Sequence, residues 1–216
     1  MPGYLYHLWF SQEVQKRMKA KPDKASLMAG SLIPDLADNK YASHFRVPAS
    51  VDGFFVPNIR KIENVFEFAL LEPERYPMHF GMFSHLYLDH VFIENYLLTE
   101  YKWNSASNRV TNLATGCVFD IDFFFSREGI YKAYAEVNPL DLGVDTKDIP
   151  SETPMTGMPI FDSNRHEKEW LQAHERSFGE KNENTKGILE YDRLKAKILL
   201  WAEEMAKFAD EKSKID

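Results

Sequence analysis

The sequence predicts an all-α protein, on three observations. Apolar residues recur at three- and four-residue steps in window after window. The longest apolar stretch, Tyr76 to Tyr96, runs almost without a break, as in a helix buried on most sides. There is also no repeat of fixed period and no low-complexity tract. With 216 residues, 44% hydrophobic and 27% charged, the chain is long enough for a single α-helical domain over 1–216 with a substantial core. Aromatic content of 14%, including 16 Phe and 10 Tyr, predicts a core built around rings.

Taken in order, Tyr4 to Met18 forms the first helix, with Leu5, Leu8, Trp9 and Val14 on one side and Gln12, Glu13, Gln15 and Lys16 mostly on the other. His7 lies on or beside the apolar stripe. Asp23 caps a short helix of small residues over 24–32, which admits a close helical neighbour, and Ile33-Pro34-Asp35 is expected to break it. Residues 40–58 hold two prolines and a glycine without a clear period and read as a loop carrying His44. Ile59 to Leu71 is helical again, with Ile59, Ile62, Phe66 and Leu70 in step.

The long apolar helix follows. Pro77 suits its first turn, where a missing N–H leaves nothing unpaired, and the helix is expected to reach about Trp103. Residues 104–112 are polar and read as a surface turn. Val118 to Phe125 is either a short strand or a buried turn leading to a helix over 126–136. An irregular arm covers about 138–160, with four prolines, a loop length more often functional or mobile than merely connecting. C-terminal helices occupy 162–212: one through Phe178, carrying His166, Trp170 and His174, and an amphipathic one from Ile188 to about Asp210.

Several function classes are excluded or disfavoured. The net charge of −7 argues against a basic surface tracking a nucleic-acid backbone, although metal ions at a site bind phosphate regardless of overall charge. Cys117 is the only cysteine, so no intrachain disulfide forms and the residue reads as a small buried apolar side chain. Residues 1–10, MPGYLYHLWF, lack the pattern of a signal peptide, and no run of 18 apolar residues supplies a transmembrane segment, so a cytoplasmic protein is expected.

The chemistry concentrates in the first 103 residues. His85 and Asp89 are four apart on the apolar helix and share a face, close enough to hold one ion. The simpler alternative is a buried pair in which the carboxylate fixes the ring tautomer. His90 and Glu94 repeat the spacing on another face, roughly 140° around from His85. What favours a metal is the number of further metal-competent groups: His7, Asp35 and His44 join His85 and Asp89, four of the five in apolar or small-residue surroundings. An unpaired polar group is costly there, and a shared cation satisfies all of them.

The order His7, then Ala29-Gly30-Ser31-Leu32-Ile33-Pro34-Asp35, then Ser43-His44-Phe45, then Gly81 through His85-Leu86-Tyr87-Leu88-Asp89, resembles the zinc-dependent phospholipase C family. That family shares its all-α fold with single-strand-specific zinc nucleases, and the resemblance covers mainly residues 3–97. It implies a multi-helix bundle of that type with a buried zinc cluster. One metal is then held by Asp35, His44, His85 and Asp89, and Asp89 bridges to a second held also by His7. Asp35, at the edge of the cluster, is the candidate catalytic residue, orienting or deprotonating the attacking water.

Three departures temper the metal count. The family's secreted members use an N-terminal Trp backbone as a ligand, whereas here Met1-Pro2 stands first. The family's next His falls on Asn95. Its later His-x-x-x-Glu pair has no clear match, leaving His166 with Glu169, or His90 with Glu94, as substitutes. About two zinc ions are therefore expected rather than three, or another divalent metal in their place. His90, Glu94, Asp120 and Asp122 are further candidates as ligands or as partners that orient a ligating ring.

The function expected is a metal-dependent, phospholipase C-like phosphodiesterase acting on a small phosphoester or a phospholipid headgroup. The alternative is a non-catalytic helical metal-binding domain that binds a partner or ligand. A His-Asp-dyad phosphohydrolase is disfavoured, because the order here is Asp89-His90.

Overall fold

The computed structural model describes residues 4–37, 39–48, 55–73, 75–104, 106–107, 109–120 and 191–213. Helix α1 spans Tyr4–Arg17 and buries Leu8, Trp9, Phe10 and Val14, together with His7. Glu13, expected on the polar side, is also buried. Its carboxylate takes Lys16 at 2.6 Å and Arg17 at 2.5 Å. Burial opposes its charge, but the two cations outweigh burial and lower its pKa.

Helix α2 (Lys24–Leu36) starts at Asp23, whose carboxylate accepts from the Ser26 N–H at 2.9 Å. The break expected at residues 33–35 does not occur there, because Pro34 lies inside the last turn. Proline gives up its N–H bond to the Gly30 carbonyl and crowds that carbonyl, and the helix tolerates it and continues only two residues further, to Leu36. Asp35 is therefore carried on the helix rather than on a turn beyond it.

Helix α5 (Tyr76–Phe92) has Pro77 in its first turn and buries nearly every residue from His79 to Phe92. It crosses α2 at two glycines. A Cβ on Gly81 would lie 2.7 Å from the Ser31 nitrogen and 2.9 Å from the Gly30 carbonyl carbon, and one on Gly30 would lie 2.8 Å from the Met78 carbonyl carbon. The two backbones thus touch directly, which the small residues of 24–32 had foreshadowed.

The stretch read as a loop over 40–58 is more ordered than expected where described. It contains a short helix α3 (Lys40–Ser43), capped by Asn39, and an antiparallel hairpin of β1 (Arg46–Pro48) with β2 (Phe55–Pro57). Helix α4 (Ile59–Leu71) follows an Asn58 cap and buries Ile62, Val65, Phe66 and Ala69 against α5.

The long helix does not reach Trp103. It passes through a π-helical turn (Ile93–Leu97) into a last turn, α6 (Leu98–Glu100), and the chain then enters a strand. That strand, β3 (Tyr101–Asn104), pairs antiparallel with β4 (Arg109–Asn112), which pairs with β5 (Val118–Asp120). Residues 109–112 are therefore strand rather than turn, and Val118–Asp120 takes the strand alternative, while Cys117 before it is exposed rather than buried. β-branched and aromatic residues (Tyr101, Trp103, Val110, Thr111, Val118) favour this pairing over helix.

The last helix, α7 (Tyr191–Lys212), presents Leu194, Ile198, Trp201, Ala202, Met205, Ala206 and Ala209 to the core and packs on α1. The described residues are mostly helical, with two small sheets. One apolar cluster joins α1, α2, α4, α5 and α7. Fully buried rings such as Phe66, Phe80 and Phe92 each contribute about 1.5–3 kcal/mol of burial to it. The helix 126–136, the arm 138–160 and the helix 162–178 lie outside the described residues. No described helix is long and apolar enough to cross a membrane.

Candidate metal centre

Five side chains from four places in the chain meet at the α2–α5 crossing. His7 comes from α1, Asp35 from the last turn of α2, His44 from the end of α3, and His85 with Asp89 from α5. His7, His44, His85 and Asp89 are fully buried, whereas the Asp35 side chain is 22% exposed. Two overlapping groups have ligand atoms close enough to share an ion: His7, Asp35 and His85, and His44, His85 and Asp89.

The two glycines make this meeting possible. Their crossing brings the Ser31 carbonyl to 2.7 Å from Nδ1 of His85. His44 is anchored in the same manner, its Nδ1 lying 2.7 Å from the Lys40 carbonyl. After His44 the backbone turns through Phe45 at φ 49°, a conformation rare for a bulky residue and one that sends the chain from the cluster into β1.

These anchors settle which nitrogens carry protons. A carbonyl oxygen only accepts, so Nδ1 of each ring donates, and each neutral ring keeps its lone pair on Nε2. The two Nε2 atoms lie 3.2 Å apart. Lone pairs cannot hydrogen-bond each other, so either a proton or a metal cation belongs between them.

Asp89 presents one oxygen to each side of the cluster. Its Oδ1 is 3.4 Å from His7 Nε2, and its Oδ2 is 3.5 Å from His44 Nε2 and 3.8 Å from His85 Nε2. Asp35 Oδ1 stands 3.6 Å from His44 Nε2. The rings of His7 and His85 stack at 3.5 Å between centroids, tilted by only 7°. Neither nitrogen of His7 and neither oxygen of Asp89 has a hydrogen bond of good geometry, although all four atoms are buried. Native interiors rarely leave such atoms unpaired without a water or ion to serve them.

The spacings suit a metal. Tetrahedral ligands at zinc–nitrogen and zinc–oxygen distances are separated by about 3.3 Å along each edge. His44 Nε2 lies 3.2, 3.6 and 3.5 Å from His85 Nε2, Asp35 Oδ1 and Asp89 Oδ2, and His85 Nε2 lies 3.8 Å from Asp89 Oδ2, all close to that edge. An imidazole and carboxylate donor set suits zinc and neighbouring transition metals.

The protonation states agree with this role. Burial, reinforced by repulsion from His7 and His44 and only partly offset by Asp35 and Asp89, lowers the pKa of His85 to about 3. The ring is therefore neutral at physiological pH, with its lone pair available. Burial works against ionisation of Asp35 and Asp89, but the surrounding imidazoles outweigh it. Asp35 is held well below the usual carboxylate range, chiefly by the His44 contact, and Asp89 is held below it chiefly by His7.

The remaining candidates lie apart from the cluster or outside the description. His90 faces the hairpin, its Nδ1 donating to the Pro57 carbonyl at 3.0 Å, and neither His90 nor Glu94 belongs to the metal-competent groups. The 140° offset on α5 is the reason, since one helix face meets α2 and the other meets β2. Asp120 ends β5, and its side chain is not described; Asp122, His166 and Glu169 lie outside the described residues.

Two residues were missed by sequence reasoning. His79 is buried on α5 with its ring 4.9 Å from that of Phe68, and burial lowers its pKa. Its position in an unbroken apolar run was a usable signal. Lys40 places Nζ 3.7 Å from Asp35 Oδ1. No pattern announces that contact, because it depends on how α2 and α3 are joined.

Compared with models of protein families, with characterised proteins and with solved structures, the chain matches none of them, so a functional reading rests on the residues of the site.

Proposed function

We propose that this protein is a metal-dependent hydrolase of phosphoric esters, a phospholipase C-like phosphodiesterase that uses zinc. The observation that carries the reading is the convergence of His7, Asp35, His44, His85 and Asp89 at ligand-edge spacing around two facing imidazole lone pairs. The sequence resemblance to the zinc-dependent phospholipase C family supplies the reaction class.

His44, His85, Asp89 and Asp35 would hold one cation, and His7, which shares a metal-competent group with Asp35 and His85, would with Asp89 hold its neighbour. Divalent cations at such a site neutralise charge on a phosphoryl oxygen and acidify water. The chain's own groups do the rest. The Ser31 and Lys40 carbonyls hold the two rings in the tautomer that presents Nε2, the carboxylate–imidazole logic applied with backbone carbonyls. Asp89 keeps its oxygens on opposite sides. Asp35 is ionised and partly open to solvent, so it is placed to accept a proton from a water entering at the cluster's edge.

A purely structural metal is a closed site, with every position taken by protein. The exposure of Asp35 favours the catalytic reading, since it leaves the cluster an accessible edge. The test is hydrolysis of bis(p-nitrophenyl) phosphate by zinc-loaded protein, before and after chelation. Cleavage that disappears with the metal and returns on adding zinc supports the assignment. Zinc-loaded protein that cleaves no phosphoester contradicts it and leaves the non-catalytic metal-binding alternative.

A further inference from the structure

Asp35 is the one cluster carboxylate that reaches solvent, and a lysine stands over it. The Lys40 ammonium is 3.7 Å from Asp35 Oδ1, while its side chain is 54% exposed. An exposed ion pair of that length contributes too little for a stabilising role. The backbone of the same residue is fixed to the cluster: the Lys40 carbonyl accepts from His44 Nδ1 at 2.7 Å, and the helix it opens is capped by Asn39, which accepts from the Ala42 N–H at 3.1 Å. An exposed cation thus springs from a backbone position tied to a candidate ligand. Four bonds of side chain let it leave Asp35 for another anion within a few ångströms of the cluster.

We infer that Lys40 selects the charge of the substrate: its ammonium engages a negative group beyond the phosphate at the metals and disfavours a cationic headgroup. This rests on the phosphoester reading above and adds the substrate class to it, namely esters carrying a second anionic group such as a carboxylate or another phosphate. Asp35 and Asp89 carry two negative charges against the four positive charges of two divalent ions, and Lys40, beside Asp35, adds to the positive charge at the cluster's exposed edge. A quaternary ammonium at the same place would face that charge directly.

The inference is tested by binding, without turnover. Zinc-loaded protein is titrated calorimetrically with three small phosphates: 3-phosphoglycerate, glycerol phosphate and phosphocholine. Their second groups are an anion, neutral hydroxyls and a cation respectively. Wild type binds 3-phosphoglycerate about tenfold more tightly than phosphocholine, the size of a partly screened charge contact, with glycerol phosphate between them. In Lys40→Gln the three affinities collapse to within about twofold, and Lys40→Arg keeps the order, with zinc content equal in all three proteins. The same ranking in wild type and Lys40→Gln overturns the inference, as does a wild type that prefers phosphocholine or takes up no zinc. Because no ester is cleaved, a collapse in Lys40→Gln stands even where the bis(p-nitrophenyl) phosphate assay fails.

Discussion

Nε2 of His44 and Nε2 of His85 face each other at 3.2 Å, while Nδ1 of each ring is 2.7 Å from a backbone carbonyl. Two donors fixed outward leave two lone pairs fixed inward. The arrangement is self-consistent only with an electrophile between the rings, the place of a divalent cation.

Asp89 is a buried carboxylate whose two oxygens lack well-formed hydrogen bonds. Removing one partner of a buried ionic group typically costs about 3–5 kcal/mol, because the others are left uncompensated. Asp89→Leu is expected to abolish zinc binding and to lower the stability of metal-free protein in urea by about that amount, since His7 and His44 lose their buried partner. Unchanged zinc affinity in the variant would show that Asp89 is no ligand.

Gly30 and Gly81 set the distance between α2 and α5, and with it the bond from His85 to the Ser31 carbonyl. Gly81→Ala pushes a methyl into the α2 backbone and is expected to cost about 1–3 kcal/mol of stability. Zinc affinity should fall as well, because the tautomer anchor is lost when the helices part. Full affinity in a protein with the expected loss of stability would separate the crossing from the site.

Acidification destabilises the metal-free protein, and the sign follows from which state binds more protons. His85 in the folded chain has its pKa lowered from the ordinary 6.5 to about 3, so between those values the unfolded chain takes up the proton and the folded chain does not. Stability from this ring is complete above pH 6.5 and drains away as pH falls toward 3. Asp35 and Asp89, also lowered, add a loss of the same sign at lower pH, below the ordinary carboxylate value of 3.8. The urea midpoint of metal-free protein should drop by the equivalent of about 1 kcal/mol per pH unit below 6. A flat profile between pH 7 and 5 contradicts the buried neutral imidazole.

Asp35→Asn tests the open edge. The amide keeps the shape but is no base, so hydrolysis should fall about 10²–10⁴-fold while zinc remains bound. Loss of zinc in step with activity would make Asp35 a ligand alone.

The helices and the cluster were legible in the sequence to different degrees. Periodicity located α1, α4, α5 and α7, because each must bury one stripe on a common core. The metal-competent residues stood out because His7, His85 and Asp89 sit where apolar neighbours make unpaired polar groups expensive. Local rules failed where tertiary contact overrides them. Pro34 was expected to stop α2, but the helix, packed along α5, tolerates it and runs two residues further, to Leu36. The end of the long helix was misplaced because residues 98–104 have mixed preference, and pairing with residues 109–112 decided for strand. Lys40 was invisible for a related reason: its importance lies in a contact between α2 and α3, and neighbours in space leave no period in the chain.

The most direct measurement is elemental analysis of protein purified without chelator, for wild type beside His85→Ala. About two zinc or equivalent divalent ions per chain in wild type, with a marked loss in the variant, is the expected result. Negligible metal in a folded wild type that also takes up none on dialysis against zinc would contradict the account at its root.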